Sequence, residues 1–286
     1  MSIKNKRIDF YLPFLMVRTA HLFIFAKKIK MELIDTHAHL YDKVYDSDRS
    51  EMLQRAKEAG VSLILIPNVD VDTIEIMLKL EIESSGLCKP MMGIHPCSID
   101  SDYKSKLEIA GKWLEKHTFY GIGEIGLDFF WDKTFKKEQE DAFIEQCKWA
   151  KTMDLPVSIH SRNATDEAIY LLEQANLGID GVFHCFSGSV EQARRIRDLG
   201  LSMGIGGVST YKNVKIGEVI EEIGLGHFVF ETDAPYLSPV PKRGKRNESA
   251  YLTFILEKIS DDLKVSAVAI SEAFSNNSKR IFNKCF

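Results

Sequence analysis

The sequence has few cysteines and no large excess of charge of either sign. Its five cysteines are scattered and include no C-x-x-C pair, which excludes the usual pattern of a structural zinc or dithiol redox site. We therefore expect a reducing, cytoplasmic environment. The formal net charge of −4 excludes a polycation that would hold nucleic acid by overall charge. Any polyanion must be bound by a local patch.

Long uninterrupted apolar runs are also missing. Asp9, Arg18 and His21 interrupt the apolar stretch over residues 8–26, whereas a membrane-spanning helix needs about 20 largely apolar residues. No convincing small-x-small cleavage site follows, which argues against a secretory signal. We interpret residues 1–30 as an N-terminal extension outside the folded domain, either dispensable or associated with a membrane surface. We expect no integral membrane span.

From Met31 onward, short β-rich runs alternate with longer segments of helical periodicity. This alternation is typical of βα units around a parallel sheet. Eight such units in about 250 residues, with no low-complexity linker between them, predict a single α/β domain, a (β/α)₈ TIM barrel over residues 31–286. The predicted strands are residues 33–35, 62–67, 90–94, 119–123, 156–159, 181–183, 201–205 and 228–230. Two final helices are expected around residues 250–259 and 265–282.

Histidines concentrate where the predicted strands end. His37 and His39 follow the first strand, His95 the third, and His160 and His184 end the fifth and sixth. The carboxyl ends of barrel strands form the rim that carries the active site in such barrels. Alternation along the Asp-Thr-His-Ala-His run aims two imidazoles the same way, as two ligands of one metal require. Each histidine alone is more often structural, but their shared position favours a metal site.

Two carboxylates follow strands on the same rim. Glu124 comes after the fourth predicted strand and Asp233 after the eighth. Burying an unpaired carboxylate is costly, so a cation is the natural partner, with a structural acid bonded to backbone amides as the alternative for Glu124. Asp233 lies beside the first strand once the barrel closes, where it can also take a proton from water. Asp128 is expected to be either that structural acid or an acid that orients a ligand, and Glu231 is expected to support the site rather than catalyse.

Six ordered motifs resemble those of the TatD family of metal-dependent deoxyribonucleases: DTHAHL, GIHP, GEIGLD, IHSR, HCFSG and ETDAPYL. The resemblance covers Met31 to the C-terminus. It implies a TIM-barrel hydrolase of the amidohydrolase type that cleaves nucleic-acid phosphodiesters with divalent ions, usually magnesium. At matching positions it implies one ion held by His37, His39 and Asp233, a second held by His160 and His184, and a bridging Glu124.

The ligand types and the departures from the family pattern bear on metal and substrate. Four histidines suit Zn²⁺, Mn²⁺ or Fe²⁺ better than Mg²⁺, which prefers oxygen ligands. The sequence departs from the family pattern at Cys97, Asn163 and Ser249. None of the three is a predicted metal ligand, so substrate preference is more in doubt than the chemistry.

Other residues on the rim are candidates for substrate contacts. His95 and Arg162 are expected to contact the scissile phosphate. The basic run after Asp233 is expected to bind neighbouring phosphates, although charged loops are often only solvated: Lys242, Arg243, Lys245 and Arg246. Asp233 and Glu124 are the predicted catalytic carboxylates, and Asp233 would orient or deprotonate the attacking water between two divalent ions.

We therefore predict a deoxyribonuclease, exonucleolytic in its action, with nucleic acid as its substrate and no obligate protein partner. Two alternatives stay open. One is hydrolysis of another ester or amide bond, in a small metabolite or an aminoacyl-RNA, at the same site. The other is a non-catalytic nucleic-acid-binding protein, which an intact set of metal ligands disfavours. Cleavage assays on DNA and on such esters separate them.

Overall fold

The computed structural model describes residues 31–286, and the predictions for residues 1–30 lie outside that range. Eight parallel strands alternate with helices, which confirms the (β/α)₈ barrel. The strands are β1 Leu33–Asp35, β2 Val61–Pro67, β3 Cys88–Met91, β4 Ile122–Asp128, β5 Val157–Arg162, β6 Gly181–Phe183, β7 Ser202–Ile205 and β8 Phe228–Phe230. The helices are α1 Arg49–Glu58, α2 Ile74–Glu83, α3 Tyr103–Lys116, α4 Lys136–Met153, α5 Thr165–Ala175, α6 Val190–Asp198, α7 Ile216–Ile223, α8 Leu252–Leu263 and α9 Ala267–Ile281.

The barrel closes through short bridges at two seams. Continuous ladders join β1 to β3 and β4 to β8. Parallel bridges then join Met92 to Ile122 and Ala38 to Ala234. Beside the second bridge, Asp233 N donates to the His37 carbonyl at 2.9 Å. The segments that follow β1 and β8 therefore lie side by side, as the position predicted for Asp233 requires.

The predicted bounds of β3 and β4 were wrong, and β5 continues to Arg162 instead of ending at residue 159. The sequence predicts residues 119–123 for β4, but the strand runs from Ile122 to Asp128 and is buried throughout, so Glu124 lies inside it. The prediction for β3 extends to residue 94, but the strand ends at Met91. The reason is Asn68, whose backbone N–H donates to both the Met91 carbonyl at 3.0 Å and the Gly123 carbonyl at 3.1 Å. Beyond β3, the end of β2 therefore bonds directly to β4.

The last helix, α9, lies across the amino-terminal end of the barrel. Asn277 Nδ2 donates to the Phe228 carbonyl at 2.8 Å, and Ser275 Oγ donates to the Glu32 carbonyl at 2.8 Å. Ile281 and Phe282 then pack on interior side chains of four strands: Leu65, Met91, Val182 and Val229. This end of the barrel is packed with apolar side chains, which leaves the carboxyl-terminal rim for polar residues.

Residues 31–286 include no helix that is both long and apolar enough to cross a membrane.

Candidate metal centre

His37 and His39 follow β1 with their Nε2 atoms 3.2 Å apart. The Tyr41 hydroxyl donates to the Pro67 carbonyl at 2.6 Å, so its oxygen is left to accept the Nδ1 proton of His39 at 3.1 Å. His37 Nδ1 lies 2.8 Å from Ser158 Oγ on β5, which can accept its proton in the same way. With both protons on Nδ1, both Nε2 lone pairs are free to bind a cation.

The second pair of histidines comes from β5 and the end of β6. His160 Nε2 lies 2.9 Å from Asp128 Oδ2, so its proton is donated to that carboxylate and the Nδ1 lone pair is free. His160 Nδ1 lies 3.2 Å from His184 Nε2. The supporting role predicted for Asp128 matches this contact, because an acid that holds the far nitrogen fixes the ring's orientation and tautomer.

Glu124 lies between the two pairs of histidines and turns one oxygen toward each. Its Oε2 is 3.1 Å from His37 Nε2 and 3.2 Å from His39 Nε2. Its Oε1 is 2.8 Å from His160 Nδ1 and 2.9 Å from His184 Nε2. A carboxylate placed in this way can bridge two cations through separate oxygens.

Asp233 joins the His37 and His39 side of the cluster. Its Oδ1 lies 3.6 Å from His39 Nε2 and 3.8 Å from His37 Nε2. The residue has a φ of 57°, a left-handed conformation that aspartate adopts more readily than most residues. The structure thus brings together all six residues predicted as metal ligands.

The spacing of these donor atoms fits small divalent cations. Ligand atoms about 2.1 Å from a tetrahedral ion lie about 3.4 Å from one another, close to the separations around both Glu124 oxygens. Three overlapping groups each place their donor atoms within 4.8 Å of one another: His37, His39 and Glu124; His37, His184 and Asp233; and His95, Glu124 and His160. The mixture of imidazole and carboxylate donors suits Zn²⁺, Mn²⁺ or Fe²⁺.

Glu124 and the histidines around it shift one another's pKa values. Burial raises the pKa of Glu124, but the surrounding His95, His184 and His37 outweigh it and hold that pKa well below its ordinary value. Burial lowers the pKa of His184, but the facing Glu124 outweighs burial and raises that pKa to about 10. The carboxylate therefore stays ionised and attracts positive charge, which a divalent cation can supply in place of protons.

Burial prevails at Asp233. Burial is the largest cause that raises the pKa of this carboxyl, and the nearby Glu124 carboxylate adds to it, against the opposing effect of His184 and His39. Without a metal, this carboxyl therefore holds a proton more readily than an ordinary aspartate, whereas a bound cation would lower its pKa. The role of Asp233 in orienting or deprotonating water stays a prediction.

Glu231 lies behind His184 and is fully buried. Burial raises its pKa to about 8, the Cys185 backbone N–H donates to its Oε1, and that oxygen lies 3.7 Å from His184 Nδ1. Within residues 31–286, His184 Nδ1 and Glu231 Oε2 have no hydrogen-bond partner. A proton held on Nδ1, toward Glu231, would leave Nε2 free for a cation. A Cβ at Gly204 would overlap the Glu231 carboxylate, so glycine is needed there.

Sequence reasoning missed the residues that hold the ligands from behind. Tyr41 and Ser158 orient the two histidines after β1. Asp35, fully buried, accepts from Thr232 N at 2.9 Å and from Thr232 Oγ1 at 2.7 Å, so it fixes the backbone just before Asp233. Burial raises the Asp35 pKa to about 6. Asp35 begins the Asp-Thr-His-Ala-His run, but nothing in that run indicates that Thr232 is its partner.

The two residues predicted to contact the scissile phosphate, His95 and Arg162, lie at different places near the centre. His95 Nδ1 accepts the Cys97 backbone N–H at 3.0 Å, so Nε2 carries the proton and is a donor rather than a metal ligand. Its Nε2 lies 3.4 Å from Glu124 Oε1, within the centre. Arg162 ends β5, two residues after His160, and points to the same side of the strand.

Arg246 and Arg243 of the basic run already contact other side chains of the protein. Arg246 donates to both carboxylate oxygens of Asp48, at 2.6 and 2.7 Å, and lies over the Tyr45 ring at 4.4 Å. Arg243 lies over the Tyr211 ring at 4.3 Å. Lys242, Lys245 and Arg246 line a surface cavity of about 660 Å³. Arg246 would have to leave Asp48 to bind a phosphate, which makes it the weakest of the four candidates.

Comparison with protein families and known structures gives a consistent result. Residues 34–283 match the family model described as TatD related DNase. The chain is 36% identical over 256 residues to the uncharacterized metal-dependent hydrolase YabD of Bacillus subtilis, covering 87% of this chain and 98% of that protein. It is 28% identical over 257 residues to the 3'-5' ssDNA/RNA exonuclease TatD of Pantoea ananatis, covering 87% and 99% of the two chains. The solved structure of the TatD homologue YjjV from Escherichia coli K12 superposes with a TM-score of 0.83 at 32% identity, covering 89% of this chain and 99% of that one.

Proposed function

Because this chain belongs to the TatD family of metal-dependent hydrolases, we propose that it hydrolyses phosphodiester bonds at the ends of nucleic-acid strands with two divalent cations. One observation carries the proposal: the two oxygens of Glu124 face two separate pairs of histidines. Two-metal phosphodiester hydrolysis needs ions about 3.5–4 Å apart, and a carboxylate shared through both oxygens suits that separation.

The residues of the chain divide the work as follows. His37, His39 and Asp233 would hold one cation, His160 and His184 the other, and Glu124 both. Bound cations would supply Lewis acidity, an acidified water and compensation for phosphate charge.

Around them, Asp233 would orient or deprotonate the attacking water, because its carboxylate lies beside His37 and His39. His95 Nε2–H would donate to a phosphate oxygen, because its Nδ1 is occupied by the Cys97 N–H.

The substrate class is supported by the name of one relative and by the charge of the rim. The relative from Pantoea ananatis is named as an exonuclease of single-stranded DNA and RNA. On this chain, Lys242, Arg243 and Lys245 follow Asp233 closely enough in sequence to bind phosphates next to the cleaved bond. The donor set favours Zn²⁺, Mn²⁺ or Fe²⁺ over Mg²⁺ as the resident metal.

The test is cleavage of end-labelled oligonucleotides. Protein loaded in turn with Mg²⁺, Mn²⁺ and Zn²⁺ is incubated with single-stranded DNA, duplex DNA and single-stranded RNA, beside an Asp233→Asn variant that keeps the shape of the side chain. We expect a ladder of products shortened from one end, and a loss of at least about 100-fold in rate for the variant. Absence of cleavage with every metal, together with hydrolysis of carboxyl esters or amides, would overturn the proposal.

A further inference from the structure

Two adjacent aromatic rings stand exposed at the rim of the barrel, just after β4. Phe130 is 48% exposed and Trp131 is 71% exposed. Their ring centroids are 4.8 Å apart and their planes are nearly perpendicular, at 87°. A single exposed apolar side chain needs no explanation, but a pair of rings beside a polar centre forms an apolar patch that suits a ligand.

Arg162 lies on this pair from the neighbouring strand. Its guanidinium carbon is 3.8 Å from the centroid of the Phe130 ring and 5.1 Å from that of Trp131. No carboxylate of residues 31–286 forms an ion pair with it, so its charge is held by the aromatic faces and stays free for another anion. A guanidinium stacked in this way can also bind a phosphate through its N–H groups.

The patch is tied to the metal centre through one carboxylate. Asp128 Oδ1 accepts the Phe130 backbone N–H at 2.9 Å, and its Oδ2 accepts from His160 Nε2 at 2.9 Å. Across the ladder, Asp128 pairs with Arg162, and the Phe129 N–H donates to the Arg162 carbonyl at 2.9 Å. Phe130 and Trp131 follow Asp128 by two and three residues, which span at most about 7 and 10 Å. A base next to the cleaved bond would therefore lie near the rings.

We propose that Phe130, Trp131 and Arg162 form a stacking platform for an unpaired base of the substrate strand. The inference rests on the proposed function and names the residues that would hold the strand beside the metal centre. A base stacked on an aromatic ring presents its face, which every base has, so the platform is tolerant of sequence. A base inside a duplex is stacked on its neighbours and must first be unpaired at a cost.

The first experiment compares strands with and without terminal bases. The substrates are a labelled single-stranded oligonucleotide and the same strand with abasic sugars at the two terminal positions of each end. The variants are Trp131→Ala, Trp131→Phe, and the control Tyr170→Ala, which removes a half-exposed ring from the outer helix α5.

We expect Trp131→Ala to raise KM for the normal strand by about 5- to 150-fold, the effect of one lost base-stacking contact, with a smaller change in kcat. For the native enzyme, KM should be higher by a similar factor for the abasic strand than for the normal strand. Trp131→Ala should have nearly the same KM for both strands. Trp131→Phe should keep most of the affinity, and Tyr170→Ala should match the native enzyme. Equal effects of Trp131→Ala on both strands, or no effect on either, would overturn the platform.

A binding measurement separates failure of the platform from failure of the nuclease proposal. The chain has three tryptophans, and Trp131→Phe leaves Trp113 and Trp149 as internal controls. A non-hydrolysable phosphorothioate strand should quench the fluorescence of the native protein, and the quenching should disappear in Trp131→Phe. Quenching without cleavage of any nucleic acid would support the platform and contradict the nuclease proposal. Cleavage without quenching would contradict the platform alone.

Discussion

His160 donates from Nε2 to Asp128 Oδ2 at 2.9 Å, and the Nδ1 atom of the same ring faces Glu124. Burial lowers the pKa of His160, but the bonds to Asp128 and Glu124 outweigh burial and raise it. Asp128 thereby orients a proposed ligand and favours the tautomer that binds a cation.

Asp128→Asn should weaken cation binding at the His160 and His184 side by about 10- to 100-fold, as expected for loss of an acid that orients a ligand. An amide at this position can still contact the ring but carries no charge. Competition with a fluorescent chelator gives the two affinities. Asp141→Asn, in α4, is the matched control, because among residues 31–286 Asp141 pairs only with Lys137 at the surface. Unchanged affinity in Asp128→Asn would show that the tautomer of His160 is set elsewhere.

Tyr41→Phe should weaken cation binding at the other side of the centre by a similar factor. The phenol is the acceptor for His39 Nδ1 and is itself fixed by the Pro67 carbonyl. Removal of the hydroxyl leaves the His39 proton free to move to Nε2, where it blocks the cation. The control is Tyr170→Phe. Equal loss at both metal positions, or a large fall in Tm without any change in metal affinity, would contradict this role.

Cation binding should release protons. The pKa of His184 is raised to about 10, with Glu124 outweighing burial, so at pH 7 that ring is protonated and a cation must displace the proton. Affinity should therefore rise with pH, by about tenfold per unit for each proton released. Calorimetric titration with Zn²⁺ in buffers of different ionisation enthalpy counts the protons. An enthalpy independent of the buffer would contradict the prediction.

Arg246 should serve stability more than substrate binding. Its hydrogen bonds to Asp48 are the largest cause that lowers the pKa of that acid, to about 2. Since the folded pKa is depressed below the ordinary 3.8, the pair contributes its stability above pH 3.8 and loses it as the pH falls toward 2.

Arg246→Gln should lower the free energy of unfolding at pH 7 by about 1 kcal/mol, and the difference from the native protein should shrink toward pH 2. Urea denaturation at a series of pH values measures it, with the exposed Arg280→Gln as control. KM for nucleic acid should change little in Arg246→Gln and rise in Lys242→Gln. A large rise of KM in Arg246→Gln at constant stability would restore Arg246 as a phosphate contact.

The sequence predicted the parts of the centre that depend on strand ends. The bounds of β1, β6 and β8 agree with the structure, and histidines at strand ends converge because parallel strands share one rim. The position of Glu124 inside β4 was missed, because the bonds from Asn68 that end β3 early join distant segments. The Arg246 interaction with Asp48 spans 198 residues, and no local pattern reveals such a partner. Contacts between distant segments thus explain both the wrong strand bounds and the missed partner of Arg246.

The central claim is that Glu124 divides the centre into two cation sites. A crystal structure of protein soaked in Mn²⁺, with anomalous difference density measured at the manganese edge, tests it most directly. We expect two peaks about 3.5–4 Å apart, one beside His37 and His39 and the other beside His160 and His184, each next to a different oxygen of Glu124. A single peak, or two peaks of which only one contacts Glu124, would contradict the account.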